Sequence, residues 1–199
     1  MSQGIIPYLV AWDQLRAFWG SHNAPEVERI KTVWKAQIHE NADVFAHQIQ
    51  NGAPTLARAL DEICMGQVQS PQFASQYAYA LEILCAQLGQ KTSNQFVQAI
   101  EERWLQSTID PVLQRWGLGM TFTTKMLTRG AWPLPIPPAV GFPFGGSIAP
   151  DELEHALMVM RNGSPPSGLS REAVMVLGEI RGWLENAAAR RGGLVCFYY

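Results

Sequence analysis

Apolar residues recur every three or four positions through most of residues 11–116, the signature of amphipathic helices. A long helix is predicted from Pro25 to about Gln50. Val27, Ile30, Trp34, Ile38, Phe45 and Ile49 all fall within about 60° of one direction at about 100° per residue. Pro25 suits a first turn, Glu26 and Glu28 favour the positive end of the helix, and Asn51-Gly52 ends it. A short helix from Asp13 to Trp19 precedes it. Two helices follow, one over residues 55–65 and one opened by Ser70-Pro71 and stopped by Gly89. A fourth, capped by Thr92 or Ser93, carries Phe96, Ile100 and Trp104, and Ile109-Asp110-Pro111 interrupts it. Near the other end, Pro150-Asp151-Glu152 opens a helix to about Met160. Ser170 caps a last one that buries Val174, Leu177, Ile180, Leu184 and Ala188 before Gly192-Gly193.

Three stretches break this rhythm. Residues 4–10 and 194–199 are short apolar runs rich in β-branched and aromatic side chains, and each is predicted to be a strand. Pro7 suggests an edge position or a bulge. A hydrophobic terminal strand needs a sheet neighbour, and the first strand is the obvious one. Residues 120–128 alternate in part and are also predicted to be β. The expected fold is α+β, one predominantly helical domain over residues 1–199 with a small sheet that includes both terminal strands. Its parts are a helix-rich region (11–116), a strand and Pro-rich segment (120–150), and C-terminal helices and a strand (151–199).

Composition narrows the function. Hydrophobic residues make up 47% of the 199, an ordinary globular fraction. Lys+Arg 15 against Asp+Glu 17 leaves a net charge of −2, too little basic field for phosphate-driven nucleic-acid binding. No apolar run reaches the roughly 18 residues of a bilayer span, so no membrane partner is expected. The amino terminus lacks the pattern of a secretory signal, and Cys64, Cys85 and Cys196 form neither paired zinc ligands nor a disulfide framework. They read as buried thiols in a cytoplasmic protein.

Candidate chemistry is sparse. His39, Asp43 and His47 share one helical stripe beside Glu40, but that stripe lies about 160° from the apolar face, and the histidines stand about 12 Å apart along the axis. They read as a solvated face, so neither a metal nor another cofactor is expected. His155 follows Glu152 and Glu154. With Arg129 and Ser147 these residues could assemble a small acid–base site, although no G-x-S-x-G frames the serine. Phe144-Gly145-Gly146-Ser147 reads as a turn into a helix. Between positions 131 and 150 lie six of the 13 prolines with Trp132, Phe142 and Phe144. As structure, such a segment crosses the sheet and buries its aromatics. As function, a rigid backbone with aromatic anchors loses little entropy on binding, which makes Arg129, Trp132, Pro137, Phe142 and Phe144 a candidate protein-binding surface.

Three groups of residues carry a resemblance. They are I-I-P-Y-L-V-A-W-D-Q-L, then A-R-A-L-D-E-I-C-M-G with Y-A-Y-A-L-E-I-L-C, and P-L-P-I-P-P-A-V-G-F-P-F-G-G with the closing A-A-A-R-R-G-G-L-V-C-F-Y-Y. The chain resembles an uncharacterised bacterial family of unknown function, YfbM-like in plan. That resemblance implies an α+β fold and a bacterial cytoplasm, and it supplies no catalytic residues. The expectation is a non-catalytic protein-binding module, of the kind that immunity or antitoxin proteins represent. A small-ligand sensor domain with an aromatic pocket, or a small enzyme near Arg129, Ser147, Glu152 and His155, are the alternatives.

Overall fold

The two ends of the chain meet in the middle of one sheet. In a computed structural model, which describes residues 4–95, 100–119, 121–163 and 166–199, β1 (Ile5–Val10) pairs antiparallel with β4 (Gly193–Tyr198), placing Ile5 opposite Tyr198. The short β2 (Gly89–Lys91) adds outside β1, and β3 (Phe144–Ile148) adds outside β4, giving the order β2-β1-β4-β3 with every pair antiparallel. Pro7 lies in a central strand, not at an edge. It stands just beyond the β2 register, which begins at Tyr8, so its missing N–H interrupts no β1–β2 bond.

Helices cover both faces of this sheet. Leu194, Cys196 and Tyr198 join Ile5, Leu9 and Ile148 in one apolar cluster with α10 (Pro150–Asn162) and α11 (Arg171–Ala189). Val195 and Phe197 join Tyr8 and Val10 in a second, with α1 (Trp12–Phe18), α2 (Ala24–Val33), α5 (Leu56–Cys64) and α6 (Ala74–Leu88). Successive strand residues point to opposite faces, so a strand buried on both must be apolar throughout, as β4 is. The fold is α+β.

Caps explain several boundaries. The side chains of Asn23, Thr55 and Ser170 accept from the backbone N–H groups of Glu26, Arg58 and Ala173, which start α2, α5 and α11. In α1, however, Asp13 lies inside the first turn and Ala11 holds the cap position.

Four further expectations are corrected. The long helix over residues 25–50 is three: α2, then α3 (Lys35–Val44) and α4 (Ala46–Gln50), bent at Trp34 and Phe45. Both residues dock on α6. The Trp34 indole N–H donates to Gln87 at 3.2 Å, and the Phe45 ring lies 5.4 Å from that of Tyr79. Between these anchor points α2 and α3 pack mainly on α5. Second, Pro111 does not interrupt its helix. From α7 (Glu102–Trp104) the chain passes through a π-helical turn at Leu105–Ile109 into α8 (Asp110–Arg115), where Pro111 occupies the first turn. The wider π turn accommodates a residue that lacks an N–H. The helix begins at Glu102, so neither Thr92 nor Ser93 caps it and Ile100 precedes it; Thr92 instead donates its N–H to the Pro7 carbonyl at 3.0 Å, and Phe96 falls outside the described residues.

Third, the described part of residues 120–128 is not a strand. Its end is α9 (Lys125–Thr128), entered after the Asp110 carboxylate accepts from the Thr124 N–H at 2.7 Å. That bond and the burial of Phe122 and Leu127 outweigh the β preference of the threonines. Fourth, Phe144-Gly145-Gly146-Ser147 is β3 and not a turn. A Cβ on Gly146 would run into the Met126 carbonyl and the Gly130 backbone, and one on Gly145 into the Cys196 carbonyl and the Trp132 ring. Glycine lets α9 and its following loop cover this edge of the sheet.

Candidate functional site

Residues 131–143 form a strap that bends round the β3 edge. Its first half is anchored in the core: Trp132 stacks on Phe197 with centroids 5.4 Å apart, and Leu134 and Ile136 are buried. Its far end emerges. Val140 is 89% exposed and Phe142 is 42% exposed. Phe142 packs edge-on against Phe144 at 5.1 Å and lies 6.3 Å from Tyr198.

Between the strap and the sheet is a cleft of about 140 Å³, walled by Arg129, Trp132, Pro138, Phe144 and Gly145. Arg129 ends α9, and its guanidinium carbon sits 4.0 Å from the centre of the Phe144 ring. Its Nε donates to both carboxylate oxygens of Glu102, each at 2.8 Å. Glu102 also accepts from Thr128 Oγ1 at 3.0 Å and from Gln106 Nε2 at 3.1 Å, while its backbone N–H donates to the Tyr198 hydroxyl at 2.9 Å. Burial raises the Tyr198 hydroxyl pKa, so that group stays a neutral acceptor. The arrangement fixes a cation against an aromatic ring at the mouth of a small cleft. Among the described residues that line it there is no serine, cysteine, histidine or carboxylate.

The sequence candidates separate as follows. Arg129, Trp132 and Phe144 line the cleft together. Phe142 flanks it through Phe144, and Pro137 is half-buried in the strap beside the lining Pro138. Ser147, Glu152 and His155 do not line it. The Ser147 hydroxyl donates to the Ala131 carbonyl at 2.8 Å and helps pin the strap to β3. Glu152 accepts from the Ala149 N–H at 2.8 Å at the start of α10, and His155 is exposed on that helix. His39 and Asp43 are exposed, with their nearest atoms 3.9 Å apart, and His47 meets Asn51. Among the described residues no cluster of three or more His, Cys, Asp or Glu could hold a metal ion. Cys64, Cys85 and Cys196 are buried free thiols, and burial drives the last two far from thiolate formation.

Sequence reasoning missed Glu102, the carboxylate that orients Arg129. Their separation of 27 positions matches no local spacing rule, and only the approach of α7 to α9 joins them. It also missed the buried carboxylates Glu62 and Glu82. Tyr77 and the Ser70 loop close over Glu62, whose other oxygen takes the Arg58 Nε at 2.8 Å. Tyr8, at 3.1 Å, and Tyr199 both donate to Glu82, whose carboxyl pKa is raised by burial and partly restored by those hydroxyls. These networks sit in the packed core, and Phe197 stands between Tyr8 and the Trp132 wall of the cleft.

The family model described as Domain of unknown function (DUF7691) matches residues 1–199. The chain belongs to this family. No curated protein and no solved structure matches it. Family membership therefore brings no assigned residues to the cleft, and the functional reading rests on its geometry. Among the described residues no helix is long and apolar enough to cross a membrane.

Proposed function

We propose that this chain is a non-catalytic protein-binding module, of the immunity or antitoxin kind, which receives a partner protein on the shoulder formed by the strap and β3. The carrying observation is the contrast within the strap. Trp132, Leu134 and Ile136 anchor it, whereas Val140 and Phe142 stand exposed beside the cleft. Apolar side chains on a fixed backbone lose little conformational freedom when covered. The cleft of about 140 Å³ is small against the roughly 300 Å³ or more of ordinary ligand pockets, and it suits one inserted side chain of a partner. The net charge of −2 favours a protein over a nucleic acid as that partner. Bacterial origin, a YfbM-like plan and cytoplasmic residence belong to the same reading.

The test is affinity capture from the native host with mass spectrometry, comparing the unaltered chain with a Val140→Asp, Phe142→Asp double variant. Val140 is open to solvent, whereas Phe142 also packs on Phe144, so the thermal midpoint of the variant is measured alongside and Val140→Asp alone serves as the control that leaves this packing intact. A partner retained by the unaltered chain and lost by the variant is the expected result. Retention of that partner by both chains would remove the shoulder from the interface.

A further inference from the structure

A second hollow, of about 410 Å³, runs along α11 and shares no lining residue with the Arg129 cleft. Val174, Leu177, Gly178 and Arg181 follow the i, i+3, i+4, i+7 rhythm and form one stripe of that helix. Trp116, just past α8, and Leu169, ahead of α11, stand over the stripe. Val174 is 53% exposed, and Leu177 closes the floor.

Two features shape this hollow. The first is Gly178. Glycine inside a helix is less stable than alanine, and among the described residues a Cβ at this position, as at Gly182 one turn on, would meet nothing within 4 Å. At Gly178 the bare backbone keeps the groove open. Trp116 lends the hollow only ring surface, since its indole nitrogen is buried out of reach of the groove. The second feature is Arg181 at one end. Its Nε donates to Glu185 at 2.8 Å, and the terminal nitrogens remain able to fork onto a carboxylate.

Arg181 is the one charged side chain among the described residues of the lining, and Trp116, Pro166, Leu169, Val174 and Leu177 make the other side-chain surfaces apolar. We infer that the α11 groove binds an amphiphilic carboxylate, a straight-chain or aromatic acid, with its carboxylate on Arg181 and its apolar body laid over Gly178 toward Val174. Those two ends of the stripe lie about 10 Å apart along the helix axis. A cationic amphiphile would meet Arg181 with like charge, and a neutral one would leave the terminal nitrogens of the guanidinium without a carboxylate to fork onto. This inference is independent of the strap and of the protein-docking reading.

Decanoate, kept below its micelle-forming concentration, is titrated into the full chain while the indole N–H resonances are followed by NMR. Trp116→Phe assigns the resonance of Trp116. Saturable movement of that resonance is expected, with binding about tenfold weaker in Arg181→Gln and lost in Gly178→Leu. Gly178 is exposed with open space above it, so the leucine fills the groove without entering the core, and an unchanged circular dichroism spectrum checks this. Decanol should bind more weakly than decanoate, and decylamine should not compete. The inference is overturned if the Trp116 resonance does not saturate, if all the indoles move together as in detergent-like binding, if Gly178→Leu binds as well as the unaltered chain, or if decanol equals decanoate.

Discussion

Two glycines show how differently one residue type can be used. Gly146 in β3 is pressed by the Met126 carbonyl and the Gly130 backbone, whereas Gly178 in α11 has open space where a side chain would stand. Gly146→Ala must displace backbone, and overpacking of this kind costs about 1–3 kcal/mol. Gly178→Ala removes a flexible residue from a helix at no steric cost and should stabilise by about 0.5–1 kcal/mol. Urea unfolding of both variants checks the pair, and the sign of the difference is the decisive reading. At the same scale, Glu102 governs Arg129. Glu102→Gln would weaken the charge pairing that aims the guanidinium at Phe144, loosening the cleft mouth before it disturbs the core.

Elements form here where local preference and packing agree, and they change identity where packing prevails. α9 is the clearest case, since its threonines favour a strand and the Asp110 carboxylate draws the chain into a helix. Asp110→Ala should cost about 1 kcal/mol, within the range for a lost N-terminal cap, and should increase hydrogen exchange of the Thr124 amide. Stability unchanged within error would show that burial of Phe122 and Leu127 suffices. Much of this architecture was legible beforehand. The helix beginning near Thr55, the cap at Ser170, the stop at Gly89 and the unbroken apolar run of β4 each act through immediate neighbours in sequence. β3 was not legible, because Phe-Gly-Gly-Ser has no strand preference of its own and is made a strand by β4 on one side and α9 on the other. The bends at Trp34 and Phe45 escaped for the same reason: both depend on contacts with α6 more than 30 positions away. In the cleft, Arg129, Trp132 and Phe144 were already close along the chain, and distant Glu102 was not.

For the molecule as a whole, the buried tyrosines tie stability to alkaline pH. Unfolded tyrosines ionise near their ordinary value of 10.0, whereas burial and the Glu62 carboxylate push Tyr77 up to about 12. Burial and Glu82 raise Tyr8 and Tyr199 further. Above about pH 10 the native chain thus binds more protons than the unfolded one, so stability is complete below that pH and falls as the pH rises toward 12. Glu82, raised by burial, acts in the same direction from above its ordinary value of 4.5. Urea midpoints measured from about pH 8 to pH 12 should decline, and Tyr77→Phe should make the decline shallower. A flat profile would mean that these hydroxyls are reached by water.

The pairing of β1 with β4 has a temporal meaning as well. Gly4 and Tyr199 exchange backbone hydrogen bonds at 2.9 and 3.1 Å, so the first and last of these elements are ladder neighbours. During synthesis β4 leaves the ribosome after all the others, and until then β1 and β3 have no inner partner and both helical layers face an incomplete floor. Nascent chains stalled before residue 193 should remain protease-sensitive and bind chaperones, and arrest at that point is where aggregation of this protein would begin.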